Sequence, residues 1–186
     1  MTGVGYRVVF VCTANICRSP VAEKVFRTEA ERAGLAVEAS SAGIGPWRVG
    51  EPADPRSATV LRDAGYPTEH VARQVGPAEL AADLIIALDH THVRALRDLG
   101  VDPARVRLLS SFDPAAPPGA EIPDPYAYGP EAFPVMLGMV RAAMPGLLAH
   151  VAEAVRPLAS ACDTQDTASP DPRSSEPGER GPGTPR

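Results

Sequence analysis

The chain has 186 residues, 44% of them hydrophobic, and a net charge of −5. It is long enough for one domain with a real core, and its acidic balance argues against nucleic-acid binding as the main task. No apolar run approaches the roughly 20 residues that cross a bilayer, and the opening MTGVGYRVVFVC leads into a strand rather than forming a signal peptide, so no membrane partner is expected.

Three cysteines are too few for a disulfide framework and suit a reducing, cytoplasmic setting. Val8-Val9-Phe10-Val11 is an apolar run that reads as a buried strand; it stops at Cys12, and an amphipathic helix begins near Ser19-Pro20. The loop between them carries Cys12 and, after Thr13, Ala14, Asn15, Ile16 and Cys17, the pair Arg18-Ser19. Backbone N–H groups at a helix start are unsatisfied and lie at the positive end of the helix dipole, so such a loop can cradle a doubly charged anion. The same field favours the thiolate of a cysteine on the loop floor. Arg18 adds a planar fork that matches two phosphate oxygens.

Val21, Ala22, Val25, Phe26 and Ala30 then recur at helical spacing until Gly34. Leu35 to Ser41 reads as a second strand, parallel to the first by the right-handed crossover rule. Gly43 to Pro55 is a Gly/Pro-rich loop holding Trp47, the one tryptophan. Asp54-Pro55 caps a helix that Gly65 closes, and Leu84 to Leu88 is a strand covered on both faces. His90 to Leu99 is a helix, and Val106 to Leu109 a fourth strand. Asp113 to Gly129 is proline-rich and aperiodic, a long functional loop. Glu131 to Val155 is helical, with Pro145-Gly146 expected to kink it.

These elements predict an α/β fold: an open, mostly parallel four-stranded sheet with helices on both faces and a phosphate-binding loop after the first strand. Residues 1–160 form the domain. Residues 161–186 contain no large apolar side chain and read as a disordered tail. Active sites of such sheets lie beyond the strand carboxyl ends, which places Cys12 and the Asp113–Gly129 loop on one edge.

The run CTANICRS at Cys12–Ser19, with Ser40-Ser41-Ala42-Gly43, Trp47 and Asp124-Pro125-Tyr126, resembles the low-molecular-weight protein tyrosine phosphatase family from about Arg7 to Arg156. The resemblance implies a metal-independent hydrolase, without cofactor, that removes phosphate from phosphotyrosine proteins. Cys12 would be the nucleophile, Arg18 the clamp and Asp124 the general acid and base. Thr13, Ala14, Asn15, Ile16 and Cys17 would form the cradle, with Asn15 bracing its curl, Ser19 donating to the thiolate, and Ser40 or Ser41 supporting from the next strand. Trp47, Tyr126 and Tyr128 would wall a cleft deep enough for a phenyl phosphate and too deep for phosphoserine. Cys17, five residues from the nucleophile, reads either as a thiol that captures an oxidised Cys12 as a disulfide or as a small apolar residue packed under the loop. Inorganic phosphate would be product and inhibitor, and the enzyme a monomer.

Rival readings have features of their own. A thioredoxin-coupled arsenate reductase needs further cysteines in mid-chain, and none lies between residues 18 and 161. Protein-arginine phosphatases typically carry Thr where this chain has Ile16, and a non-catalytic anion module would have lost Cys12, Arg18 or Asp124. The four histidines suggest no metal site, since His90 and His92 are two residues apart on a helix and face different sides.

Overall fold

The computed structural model describes residues 5–162, with side chains through Arg156. Strand β1 (Tyr6–Cys12) is followed by α1 (Arg18–Arg32), β2 (Val37–Gly43), α2 (Pro55–Asp63) and a short α3 (Pro77–Leu80). Then come β3 (Leu84–Ala87), α4 (His90–Asp98), β4 (Val106–Leu108) and the long α5 (Ala132–Cys162). The four strands are parallel throughout and run in the order β2-β1-β3-β4. The chain builds outward from β1 to one side and then from β3 to the other, so the carboxyl ends of β1 and β3 flank the point where the order reverses. Ligands of open α/β sheets bind at that point.

Strand alternation divides the core in two. Val8, Phe10, Leu84 and Ile86 face α1, α2 and α5, where they meet Val25, Phe26, Leu61, Phe133 and Leu147. Val9, Val11, Ile85 and Ala87 face the other way, toward Leu96 of α4 and Val101. Both faces of β3 are therefore covered, which is why its sequence is apolar without alternation.

Boundaries differ from expectation where caps take residues from neighbouring elements. Leu35 was expected in β2, but its N–H bonds to Ala30 O at 3.0 Å and closes α1, with Gly34 at φ +67°. The strand starts at Val37 and runs two residues past Ser41, pairing Ala42 with Val11 and Gly43 with Cys12. Helix α5 continues through Pro145-Gly146, so the expected disturbance does not end it. Its backbone turns against the Leu109–Phe112 turn, and a side chain at Gly146 would collide with the Phe112 carbonyl oxygen. A glycine is required there by close packing, not by helix propensity.

The helix also reaches Cys162, so Ala161 and Cys162 belong to it and not to the tail. The rest of that segment lies outside the described residues. By length and composition Ala132–Arg156 is apolar enough to cross a bilayer, contrary to the reading of the chain as lacking such a stretch. Its apolar face instead fills the core, with Phe133, Val140, Leu147 and Val151 fully buried.

Candidate active site

The loop from Cys12 to Arg18 is turned so that its carbonyls point outward. Cys12 O accepts from Ile44 N (2.9 Å), Thr13 O from Gly45 N (3.0 Å), and Ile16 O from Asp54 N (2.8 Å). His70 Nε2 donates to Asn15 O at 2.7 Å. In a planar trans peptide the next N–H points opposite to each carbonyl, so the amides of Thr13, Ala14, Ile16 and Cys17 face the inside of the curl. This is the geometry of an anion cradle.

Asn15 makes the curl possible. Its φ of +58° is the left-handed value that asparagine tolerates best among side-chain-bearing residues. Its fully buried amide donates to Ser19 Oγ and to Ser41 Oγ, both at 2.9 Å, and accepts from Arg73 N at 2.9 Å. Ser41 in turn donates to Glu23 Oε2 at 2.6 Å. Between Ser40 and Ser41, Ser41 is therefore the brace. Gly43 supports the loop differently: a Cβ there would stand 2.9 Å from the backbone carbon of Ala14.

Ser19 Oγ lies 2.9 Å from Cys12 Sγ. Ser19 Oγ accepts from Asn15, and its own proton can go to the sulfur or to Ala42 O at 3.5 Å. Cys12 is buried at the floor, and Cys17 is a second free, buried thiol. Burial and then the nearby Asp54 carboxylate push the Cys17 thiol up to about 12, so it stays protonated.

Arg18 is 3% exposed, and its guanidinium is held on both sides. Nη1 donates to Asp89 Oδ2 (2.7 Å) and Ile122 O (3.1 Å); Nη2 donates to Asp124 Oδ2 (2.8 Å) and Thr13 Oγ1 (3.2 Å). Its Nε, also buried, finds no acceptor among the described residues. A buried donor left over on a cation, beside inward-facing amides, calls for an anionic partner.

Asp89 and His92 were not expected here. Asp89 caps α4, accepting from His92 N at 3.0 Å, while His92 Nδ1 accepts from Asp89 N at 3.2 Å. Because Nδ1 is an acceptor, Nε2 carries the proton and donates to Thr13 Oγ1 at 3.0 Å. The first turn of α4 thus reaches Arg18 by two routes, directly through the Asp89 carboxylate and indirectly through His92 and Thr13. Burial lowers His92 to about 4, so the ring is neutral near pH 7. Burial would raise Asp89, but hydrogen bonds from Thr91 and Arg18 outweigh it and hold the carboxyl near 2. Burial also lowers His70, keeping a neutral ring against the Asn15 carbonyl.

A cavity of about 230 Å³ opens above Cys12, lined by Thr13, Ile16, Arg18, Trp47, Asp124 and Tyr126. Trp47 is 66% exposed and Tyr126 is exposed, so both wall the mouth without filling the core. Arg48, missed in the sequence, also lines it and donates to the Tyr126 hydroxyl at 2.9 Å. Tyr128 does not line this cavity; with Ala127 displacing it by one residue, it faces a neighbouring groove. Asp124 is 43% exposed at the rim, its Oδ1 accepting from Tyr126 N at 3.1 Å. Among the described residues no three His, Cys, Asp or Glu side chains converge where a metal ion could be held.

Residues 7–157 match the sequence profile of the family described as low molecular weight phosphotyrosine protein phosphatase. A low molecular weight protein-tyrosine-phosphatase of Streptomyces coelicolor is 54% identical over 157 residues, 81% of this chain and 96% of the relative. Among solved structures, YfkJ of Bacillus subtilis superposes with a TM-score of 0.75 at 32% identity, covering 83% of this chain and 99% of that one. The YwlE arginine phosphatase superposes with a TM-score of 0.73 at 26% identity, covering 82% and 99%. With the profile covering most of its length and an anion cradle set at the end of its first strand, the chain belongs to the low molecular weight phosphotyrosine protein phosphatase family.

Proposed function

We propose that Cys12, Arg18 and Asp124 carry out phosphotyrosine hydrolysis by two successive in-line displacements. The observation that carries this reading is the buried Arg18 guanidinium with its unpartnered Nε, set beside a thiol that Ser19 contacts at 2.9 Å. When a phosphate dianion enters, its oxygens take the loop amides and the Arg18 donors, displacing the Arg18–Asp124 ion pair. Asp124, released from Arg18, then stands at the rim within reach of the leaving group.

Cys12 Sγ attacks phosphorus, the S–P bond forms as the P–O bond to tyrosine breaks, and Asp124 gives its proton to the departing oxygen. Charge spread over the equatorial oxygens is met by donors already in place. Water then attacks the phosphocysteine while Asp124 takes its proton. The thiolate leaves toward the Ser19 hydroxyl, and inorganic phosphate is released. No step calls for a metal.

The cavity lining supports an aryl substrate. Trp47 and Tyr126 offer flat apolar faces to a phenyl ring, and Ile16, apolar at the wall, offers a guanidino group no partner. The 54% identity to a tyrosine phosphatase, against 26% to the arginine phosphatase, points the same way. Free thiols at 12 and 17 suit a reducing compartment, and the reading places the enzyme in the cytoplasm as a monomer acting on phosphoproteins. In an assay with chelator present, an aryl phosphate should be hydrolysed while phosphoserine, phosphoarginine and arsenate are not turned over. Cys12→Ser and Arg18→Ala should each abolish turnover; activity surviving in either would refute the assignment.

A further inference from the structure

Beyond the Asp124–Pro125 ridge lies a second concavity of about 290 Å³, lined by Pro123, Tyr128, Ala132, Val135, Met136 and Met139. Asp124 belongs to both cavities, so the two share a wall. Val135 on α5 is 64% exposed and Tyr128 on the preceding loop 66%, leaving an apolar surface open beside a helix whose other face is buried in the core. The groove is built, not incidental. Arg56 donates to Tyr128 O at 3.0 Å and to Tyr126 O at 3.3 Å while bonding Asp54 twice, and its guanidinium lies 4.4 Å from the Phe133 ring centre. It thereby ties the loop wall to the first turn of α5, so the groove needs no ordering when it is filled.

A cavity of about 230 Å³ accepts the phosphoaryl group but not the peptide that bears it. The substrate main chain must lie across the mouth, and in an extended peptide side chains two residues apart share a face. We propose that this groove is a substrate subsite that takes an apolar side chain, of leucine or methionine type, close to the phosphotyrosine. Continuity with the catalytic cavity identifies the occupant. The carboxylates at the rim, Asp124 and Glu131, set it against acidic neighbours. The inference rests on the proposed phosphotyrosine activity.

The test uses phosphotyrosine peptides in which leucine, alanine or glutamate is moved through the three positions on either side of the phosphotyrosine. The full-length enzyme should prefer leucine at one position by about ten-fold in kcat/KM over alanine, as burial of such a side chain allows, and by more over glutamate. Val135→Glu, a change at an exposed site, should erase that preference and leave hydrolysis of a small aryl phosphate unchanged; Tyr128→Ala should weaken the preference. Absence of preference at every position, as would follow if the chain's own tail or a second copy filled the groove, would overturn the inference. So would a preference that survives Val135→Glu. Failure to hydrolyse the small aryl phosphate would instead refute the underlying activity, which keeps the two apart.

Discussion

At the scale of single residues, Asp124 and His92 carry separate tests, one of catalysis and one of stability. Asp124 sits in an ion pair with Arg18 at 2.8 Å and must leave that pair, protonated, to serve a leaving group. Asp124→Ala should therefore slow phosphotyrosine at least about a hundred-fold, the usual scale of a lost general acid. An aryl phosphate with an acidic phenol, which departs without a proton, should slow far less. Equal slowing of both would contradict the acid role. His92 is neutral, its folded value near 4 lying below the unfolded value of 6.5. Between these values the unfolded chain binds more protons, so its contribution to stability is complete above 6.5. It is lost as pH falls toward 4, on the order of 3 kcal/mol in all. Asp89, held near 2, loses its contribution only below about 3.8. Stability measured by urea unfolding from pH 7 to 4.5 should thus fall more steeply in the wild type than in His92→Gln; parallel slopes would show that His92 does not titrate as described.

At the scale of elements, the residues that reach the site from distant parts of the chain were the hardest to find in the sequence. Cys12, Arg18 and Ser19 stand together at a strand end and a helix start, so local pattern drew attention to them and the family resemblance gave them roles. Asp89 reads locally as an ordinary helix cap, and only the parallel register of β1 with β3 brings it against Arg18, 71 residues away. His92 looked unremarkable because its partner Thr13 lies 79 residues away, and Arg48 because its role depends on a loop folding across to Tyr126. The same contrast explains Gly146. Helix propensity marks it as a fault, whereas the packed fold uses it as a contact with Phe112. Alanine is the better helix former by roughly 1 kcal/mol, yet Gly146→Ala should lower the thermal midpoint by several degrees, because its Cβ meets a backbone oxygen that cannot yield cheaply. A raised midpoint in a melting scan would contradict that packing.

At the scale of the whole molecule, the four parallel strands, their helices and the edge carrying the site were legible because buried parallel strands leave continuous apolar runs. The strand order was not, since it depends on which crossover goes to which side. Residues 163–186 contain no large apolar side chain, so their deletion should leave kcat/KM and the thermal midpoint nearly unchanged; a midpoint lowered by several degrees would show that they dock. The central claim concerns one bond, between Cys12 sulfur and phosphorus. Rapid quenching of the Asp124→Ala enzyme during turnover of an acidic-phenol aryl phosphate, followed by fragment mass spectrometry, tests it most directly. The expected result is a phosphoryl group on Cys12, not on Cys17, formed at least as fast as turnover and unaffected by chelator. No adduct, an adduct on another residue, or turnover abolished by chelator would contradict it.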